Sequence, residues 1–212
     1  MPANLVLYTN PHSRGRIARW MLEEVGASYE TILIEYGEPM KSPAYLKVNP
    51  MGKVPAIMHG SNVVTECAAI CLYLADAFPA AGLAPNTNRA AYYRWMLFAA
   101  GPIEAAATNR TLGFEVPADK ESMVGYGTYD RMLDTLAGAL SRHRYIAGDA
   151  FTAADVYVGS FLDYGFLEHR PAFDDYLQRL RERDAFKRAK AIDDALVQQS
   201  AENQAAENQG AS

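Results

Sequence analysis

Over the first part of the chain the spacing of apolar positions changes several times, and each change marks an element. Asn4 to Thr9 (NLVLYT) is a short apolar run rich in strand formers, and the turn residues Asn10-Pro11-His12-Ser13 follow it. From Arg14 to Val25 the apolar set Ile17, Ala18, Met21, Leu22 and Val25 recurs at three and four, the period of one helix face, and Gly26 supplies the stop. Tyr29 to Glu35 (YETILIE) alternates and predicts a second strand, so the chain opens as a βαβ unit with its two strands parallel. A loop carrying Gly37, Pro39, Ser42 and Pro43 leads to a short helical piece from Ala44 to Val48. Val54 to Met58 (VPAIM) predicts a third strand, His59-Gly60-Ser61-Asn62 a tight turn, and Val63-Val64 the start of the return strand. Helix follows at once from near Thr65 or Glu66, with Ile70, Tyr73 and Leu74 on one face.

Beyond Phe78 the strand pattern stops. Residues 79–88 (PAAGLAPNTN) concentrate turn formers and are the expected linker. Arg89 to Thr111 is helical in pattern, with Gly101-Pro102 expected to kink it. Lys120 to Arg142 carries apolar residues at helical spacing, and Thr152 to Glu168, Pro171 to Asp184 and Phe186 to Val197 supply further helices. The expected architecture is α/β plus all-α, with domains at residues 1–78 and 89–197. The tail, residues 198–212, repeats Ala-Glu-Asn-Gln with no apolar side chain larger than Ala and is expected to lack order.

At 212 residues and 50% hydrophobic, the chain can bury a sizeable core. Its formal charge of -5, with no concentrated basic block, argues against nucleic acid as a partner. No uninterrupted apolar stretch is long enough to cross a bilayer, and MPANLVLY lacks the form of a signal peptide, so a cytoplasmic protein without membrane partners is expected. Two cysteines, Cys67 and Cys71, are too few for a disulfide framework, and their i, i+4 spacing is not the CxxC redox pattern. Reduced, packed thiols are the plain expectation.

The chemistry suggested by residues 49–76 lies in exposed backbone. Pro55 deletes a ladder donor, so its strand must lie at an edge or beside a bend, and Val54 is left free to pair with an extended, peptide-like ligand. The first N–H groups of the helix near Glu66 favour a carboxylate or phosphate. With the Glu66 carboxylate alongside, a zwitterionic α-amino-acid group suits that place best.

The runs NPMGKVPAI and TECAAICLYLAD resemble the cis-proline strand and the Glu/Gln-Ser helix start of cytosolic-type, bacterial-like glutathione transferases. The resemblance covers the chain to about Val197 and implies an N-terminal thioredoxin-like glutathione-binding domain followed by an all-helical domain. It implies that Val54, across a cis bond to Pro55, pairs with the cysteinyl backbone of glutathione, and that Glu66 and Cys67 hold its γ-glutamyl end. Cys67 stands where the family usually has Ser, so a weak thiol donor replaces a hydroxyl and the Cys67 backbone N–H must supply more. Lys53 matches a basic position that meets the glycyl carboxylate in some classes, and Lys41 is a second candidate for that contact. Glutathione is the implied co-substrate, with no metal, and a homodimer is the implied assembly.

In this family a donor near the sulfur stabilises the glutathione thiolate. The positions that correspond here are Tyr8, Thr9, Asn10 and Ser13. Ser13, ahead of the first helix, is the first candidate, with plain helix capping as its alternative role; Tyr8 is the second. Asp155, in Phe151-Thr152-Ala153-Ala154-Asp155, fits a capping box and not an acid catalyst. Tyr92, Trp95 and Phe98 are core by default, while Asn109 and Arg110 are polar candidates for a substrate cleft. The function implied is conjugation of the glutathione thiolate to small hydrophobic electrophiles. The alternatives are glutathione-dependent disulfide or peroxide reduction, in which Thr9, Asn10 or a mixed disulfide at Cys67 matters more, and a non-catalytic glutathione-binding module.

Overall fold

The computed structural model describes residues 4–210. Residues up to Ile70, together with those from Arg183 onward, form one compact unit, and Cys71–Glu182 form the other. The first unit contains β1 (Leu5–Thr9), α1 (Gly15–Val25), β2 (Glu30–Leu33), the short helices α2 (Glu38–Lys41) and α3 (Pro43–Leu46), β3 (Ala56–His59) and β4 (Asn62–Thr65). The strands form one sheet in the order β2-β1-β3-β4. β1 and β2 are parallel, with Tyr8 opposite Ile32, as the βαβ pattern predicts. β3 runs antiparallel to β1, with Tyr8 opposite Ala56, and β4 closes the hairpin with Asn62 opposite His59.

The third strand begins later than its sequence pattern predicts. The Val54–Pro55 bond is cis, and the ladder starts only at Ala56. β3 is an interior strand paired on both sides, so of the two places open to Pro55 the structure uses the bend, where its missing N–H removes nothing from the sheet. Leu5, Val6 and Leu7 are all buried, which fits a central strand covered on both faces.

Helix α10 (Asp184–Gly210) also packs within the first unit, against α1. Its charges complement those of α1 in reverse order: Arg16 meets Asp194 at 3.0 Å, Arg19 meets Asp193 at 2.8 Å, and Glu23 meets Arg188 at 2.9 Å. Just ahead of α10, Arg183 holds Glu24 through two contacts of 2.7 Å. Partners therefore descend along one helix as they ascend along the other, and the helices run antiparallel. The solvent-facing pairs are each worth at most about 1 kcal/mol. Arg19 and Asp193 differ, because both side chains are 1% exposed. Burial holds the Asp193 carboxyl above its ordinary range despite the adjacent guanidinium, and a buried pair of this kind carries a desolvation cost that offsets much of its attraction. That pair fixes register more than it adds stability. Trp20 seats its ring edge-on to Phe186 at 4.9 Å, and this apolar contact supplies what the charges do not.

The composition of residues 198–212 predicts a disordered tail, whereas the structure carries helix through Gly210. Ala, Glu and Gln are good helix formers, and lengthening a helix already nucleated at Asp184 avoids the nucleation cost. Ala211 and Ser212 lie outside the described residues.

The second unit is helical. Helix α4 (Cys67–Ala77) leads into it, and α5 (Ala90–Phe98) continues through a π-helical turn at Ala99–Ile103 into α6 (Glu104–Thr111). Pro102 sits inside this turn, where the irregularity expected as a kink at Gly101-Pro102 takes the form of a π turn that does not end the helix. α7 (Tyr129–Leu140) starts nine residues after the predicted Lys120, because Ala118–Met123 form a 3-10 stretch and Thr128 caps the later start, accepting the Arg131 N–H at 3.2 Å. α8 (Ala153–Asp163) and α9 (Asp174–Arg181) complete the unit.

Asp155 belongs to this framework and not to a reaction centre. Fully buried, it accepts the N–H groups of Ile146 and Thr152 at 2.7 and 2.8 Å and the hydroxyl of Tyr176 at 3.1 Å, completing the predicted capping box with Thr152. Burial pushes its carboxyl up to about 6, and the donors offset that only in part. A carboxyl raised in the folded state contributes stability that is full below about pH 4 and lost as pH rises through about 6, on the order of 3 kcal/mol. The stability difference between wild type and Asp155→Asn, measured by urea unfolding, is therefore expected to shrink as pH is raised from 4 to 6. A difference independent of pH across that window would contradict it.

Candidate glutathione site

The residues singled out from the sequence for glutathione and its thiolate all lie in the first unit, whereas Asn109 and Arg110, the polar candidates for a substrate cleft, lie on α6 in the second. The chain leaves β1 at Thr9, and the next turn is tightly bonded. The Asn10 side chain donates to the Ile34 carbonyl at 3.1 Å and accepts the His12 N–H at 3.0 Å, and Asn10 is buried. Ser13 Oγ donates to the Asn10 carbonyl at 2.7 Å and accepts the Gly15 N–H at 2.9 Å. Thr9 is fully buried and its Oγ1 has no hydrogen-bond partner. A side chain at Gly15 would place its Cβ 1.8 Å from that oxygen, so α1 can begin here only because the residue is glycine.

The bend before β3 is held just as closely. The Lys53 carbonyl receives both the Tyr45 hydroxyl and the Asn49 amide at 2.7 Å. Lys41 Nζ donates to the Met51 and Gly52 carbonyls at 3.0 Å each. Gly52 has φ 56°, and a Cβ there would stand 2.6 Å from the Met40 carbonyl oxygen. With the peptide before it pinned, the main-chain N–H and C=O of half-buried Val54 make no hydrogen bond among the described residues. Glu66 then turns β4 into α4 with φ 68°, a left-handed conformation that costs a non-glycine residue about 1–2 kcal/mol. Its carboxylate is exposed, and α4 begins immediately after it. Cys67 is buried, and its thiol lies 3.7 Å from the Arg14 carbonyl, which ties the start of α4 to the start of α1.

Because Tyr8, Ala56 and Thr65 lie side by side across β1, β3 and β4, the segments that leave these strands form one strip at that end of the sheet. It has free peptide groups at Val54, N–H donors and a carboxylate at Glu66 and the start of α4, and a hydroxyl at Ser13. Asn10 is locked at both ends of its amide. Tyr8 is half-buried, its ring 5.8 Å from that of Tyr45. Lys53 is exposed, while the Lys41 ammonium braces the 51–52 turn. Sequence reasoning did not find Gly15, Tyr45 or Asn49. For Gly15 a signal existed, a glycine at the first position of a predicted helix; the other two act through contacts that no local pattern encodes. Among the described residues no group of three metal-ligating side chains occurs.

Comparison with known proteins decides what this strip belongs to. Residues 3–76 match the glutathione S-transferase N-terminal domain, and residues 105–191 match the family's C-terminal domain. Glutathione S-transferase 3 of Zea mays is 31% identical over 72% of this chain and 74% of its own length. The chain belongs to the glutathione S-transferase family. Two further family comparisons bear on the site. The disulfide-bond oxidoreductase YghU of Escherichia coli K12 is 29% identical over 89% of this chain and 74% of its own. The theta class glutathione S-transferase of Xanthomonas axonopodis pv. citri, solved with glutathione bound, superposes with a TM-score of 0.73 at 28% identity, covering 89% of this chain and 97% of that one. The four-stranded mixed sheet and the helical unit are thus this family's thioredoxin-like and all-helical domains.

Gly15→Ala tests how tightly the β1–α1 turn of this transferase is built. Overpacking against Thr9 is expected to cost about 1–3 kcal/mol, read as a lower urea midpoint with an unchanged slope. A variant as stable as wild type would mean that Thr9 and α1 move apart freely.

Proposed function

We propose that this transferase binds glutathione along Val54 and the start of α4 and transfers its thiolate to small hydrophobic electrophiles. The observation that carries the proposal is the unpaired main chain of Val54, next to a cis proline and in the same unit as a helix N-terminus flanked by the Glu66 carboxylate. A γ-linked peptide offers complementary groups to each: a peptide N–H and C=O for Val54, a carboxylate for the Cys67 N–H and an ammonium for Glu66. Lys53 is assigned to the glycyl carboxylate, with Lys41 as the alternative. The homodimer and the cytoplasmic location implied by the sequence remain part of this proposal. No helix among the described residues is long and apolar enough to cross a membrane.

Ser13 is the group we assign to the sulfur. Its oxygen can keep accepting the Gly15 N–H while its proton swings from the Asn10 carbonyl to the thiolate. The swing gives up a neutral hydrogen bond worth about 1 kcal/mol for a charge-assisted one roughly twice as strong. The second substrate has a candidate place in the helical unit, a cleft of about 530 Å³ lined by Asn109 and Arg110 among others. Tyr92 and Trp95 are core residues and do not serve it.

A second reading, glutathione-dependent disulfide reduction, is favoured by the function in the name of the E. coli relative and by the unpartnered Thr9 hydroxyl. Spectrophotometric titration of the bound glutathione thiol separates the assignments. Ser13→Ala is expected to raise its pKa by about one unit and lower conjugation of a halogenated nitroaromatic about tenfold, while Tyr8→Phe leaves both within twofold. If neither substitution moves the thiol, the assignment is wrong; steady disulfide turnover without conjugation would favour the second reading, and tight capture of glutathione with no turnover of either kind a binding module.

A further inference from the structure

Eight arginines of the described chain pair with carboxylates: Arg16, Arg19, Arg89, Arg110, Arg170, Arg181, Arg183 and Arg188. Three that do not, Arg142, Arg144 and Arg179, line a single cleft of about 390 Å³ in the helical unit, together with His143 and one acid, Asp175. None of the three lies within ion-pair distance of a carboxylate among the described residues. Arg142, His143 and Arg144 occupy the exposed turn after α7, and Arg179 rises from α9 to meet them.

The cleft is built, and not merely charged. Arg179 Nη2 donates to the Arg144 carbonyl at 2.8 Å, which ties the turn to α9. The guanidinium carbons of Arg144 and Arg179 stand 5.8 and 6.0 Å from the centroid of the Tyr145 ring, so one aromatic side chain orients both. Tyr145 is in turn held edge-on by Phe151 at 5.7 Å. Arg179 Nε is buried and has no hydrogen-bond partner. A chain with a formal charge of -5 thus gathers uncompensated positive charge at one concave place, where like charges repel and a donor is left unsatisfied.

We propose that this cleft is an accessory binding site for a dianionic phosphate group, carried by a small phosphomonoester or as inorganic phosphate. Planar guanidinium forks match tetrahedral oxyanions through paired N–H donors. Three arginines against Asp175 leave two positive charges when His143 is neutral, the complement of a phosphate dianion. The size of the cleft suits a phosphate with a small organic part. The site is independent of the glutathione assignment: none of its residues belongs to the strip around Val54.

The test is calorimetric titration of the full chain with inorganic phosphate and, separately, with glycerol phosphate, each against sodium chloride at matched ionic strength. Wild type is expected to show saturable binding of at least one phosphate probe and none of chloride. Arg142→Gln/Arg144→Gln is expected to weaken binding at least tenfold with an unchanged melting temperature in phosphate-free buffer, and Arg142→Gln alone, an exposed single change, to weaken it several-fold. Glycerol phosphate binding tenfold tighter than phosphate would identify an organic phosphate as the ligand, and equal binding the free ion. No saturable heat with either probe, or equal affinity in the folded double variant, would overturn the proposal.

Discussion

Two hydrogen bonds onto one carbonyl govern the proposed function. Tyr45 and Asn49 both donate to the Lys53 carbonyl, and the peptide they pin is the last before the cis bond to Pro55. β3 joins the sheet only at Ala56, so Val54 stays outside the ladder with its polar groups unspent. A buried, unpaired peptide would cost about 1–3 kcal/mol, which is tolerable here because Val54 is half-exposed to water. Tyr45 is deeply placed, its hydroxyl pushed up to about 12 by burial and by Tyr8 nearby, so it remains a neutral donor across the working pH range.

The second constraint is where the helices begin. α1 can start close under β1 only at Gly15, and α4 starts through the left-handed Glu66. The Cys67 thiol beside the Arg14 carbonyl links the two starts. Cys67 therefore has a structural occupation where the family's usual Ser would offer a hydroxyl. On its other flank α1 is held by α10, with Arg19 and Asp193 setting the register and Trp20 and Phe186 supplying the apolar contact.

Much of this was legible in the sequence, because the elements that carry the site are local patterns. The period of three and four from Ile17 to Val25, the alternation around Thr31 and the His59–Asn62 turn each encode a single element. So does the capping box at Thr152 and Asp155, found in the structure as predicted. Apolar spacing failed where residues at helical intervals were not helical: Met123 is 80% exposed in a 3-10 stretch, and α7 waits for Thr128. It failed again at the tail, where composition speaks to burial and not to extension of a helix already formed. The braces at Tyr45 and Asn49 and the charge ladder between α1 and α10 were out of reach. The ladder joins residues more than 150 positions apart, and no window along the chain contains both partners.

The central claim is that the unpaired main chain of Val54, and not a charged pocket, receives the ligand. Amide hydrogen exchange resolved at single residues, with and without saturating glutathione, tests it most directly. The account predicts that exchange slows at the Val54 N–H when glutathione is added, while the already bonded N–H groups of β3 change little. Unchanged exchange at Val54 under saturating glutathione, with protection elsewhere in the chain, would contradict it.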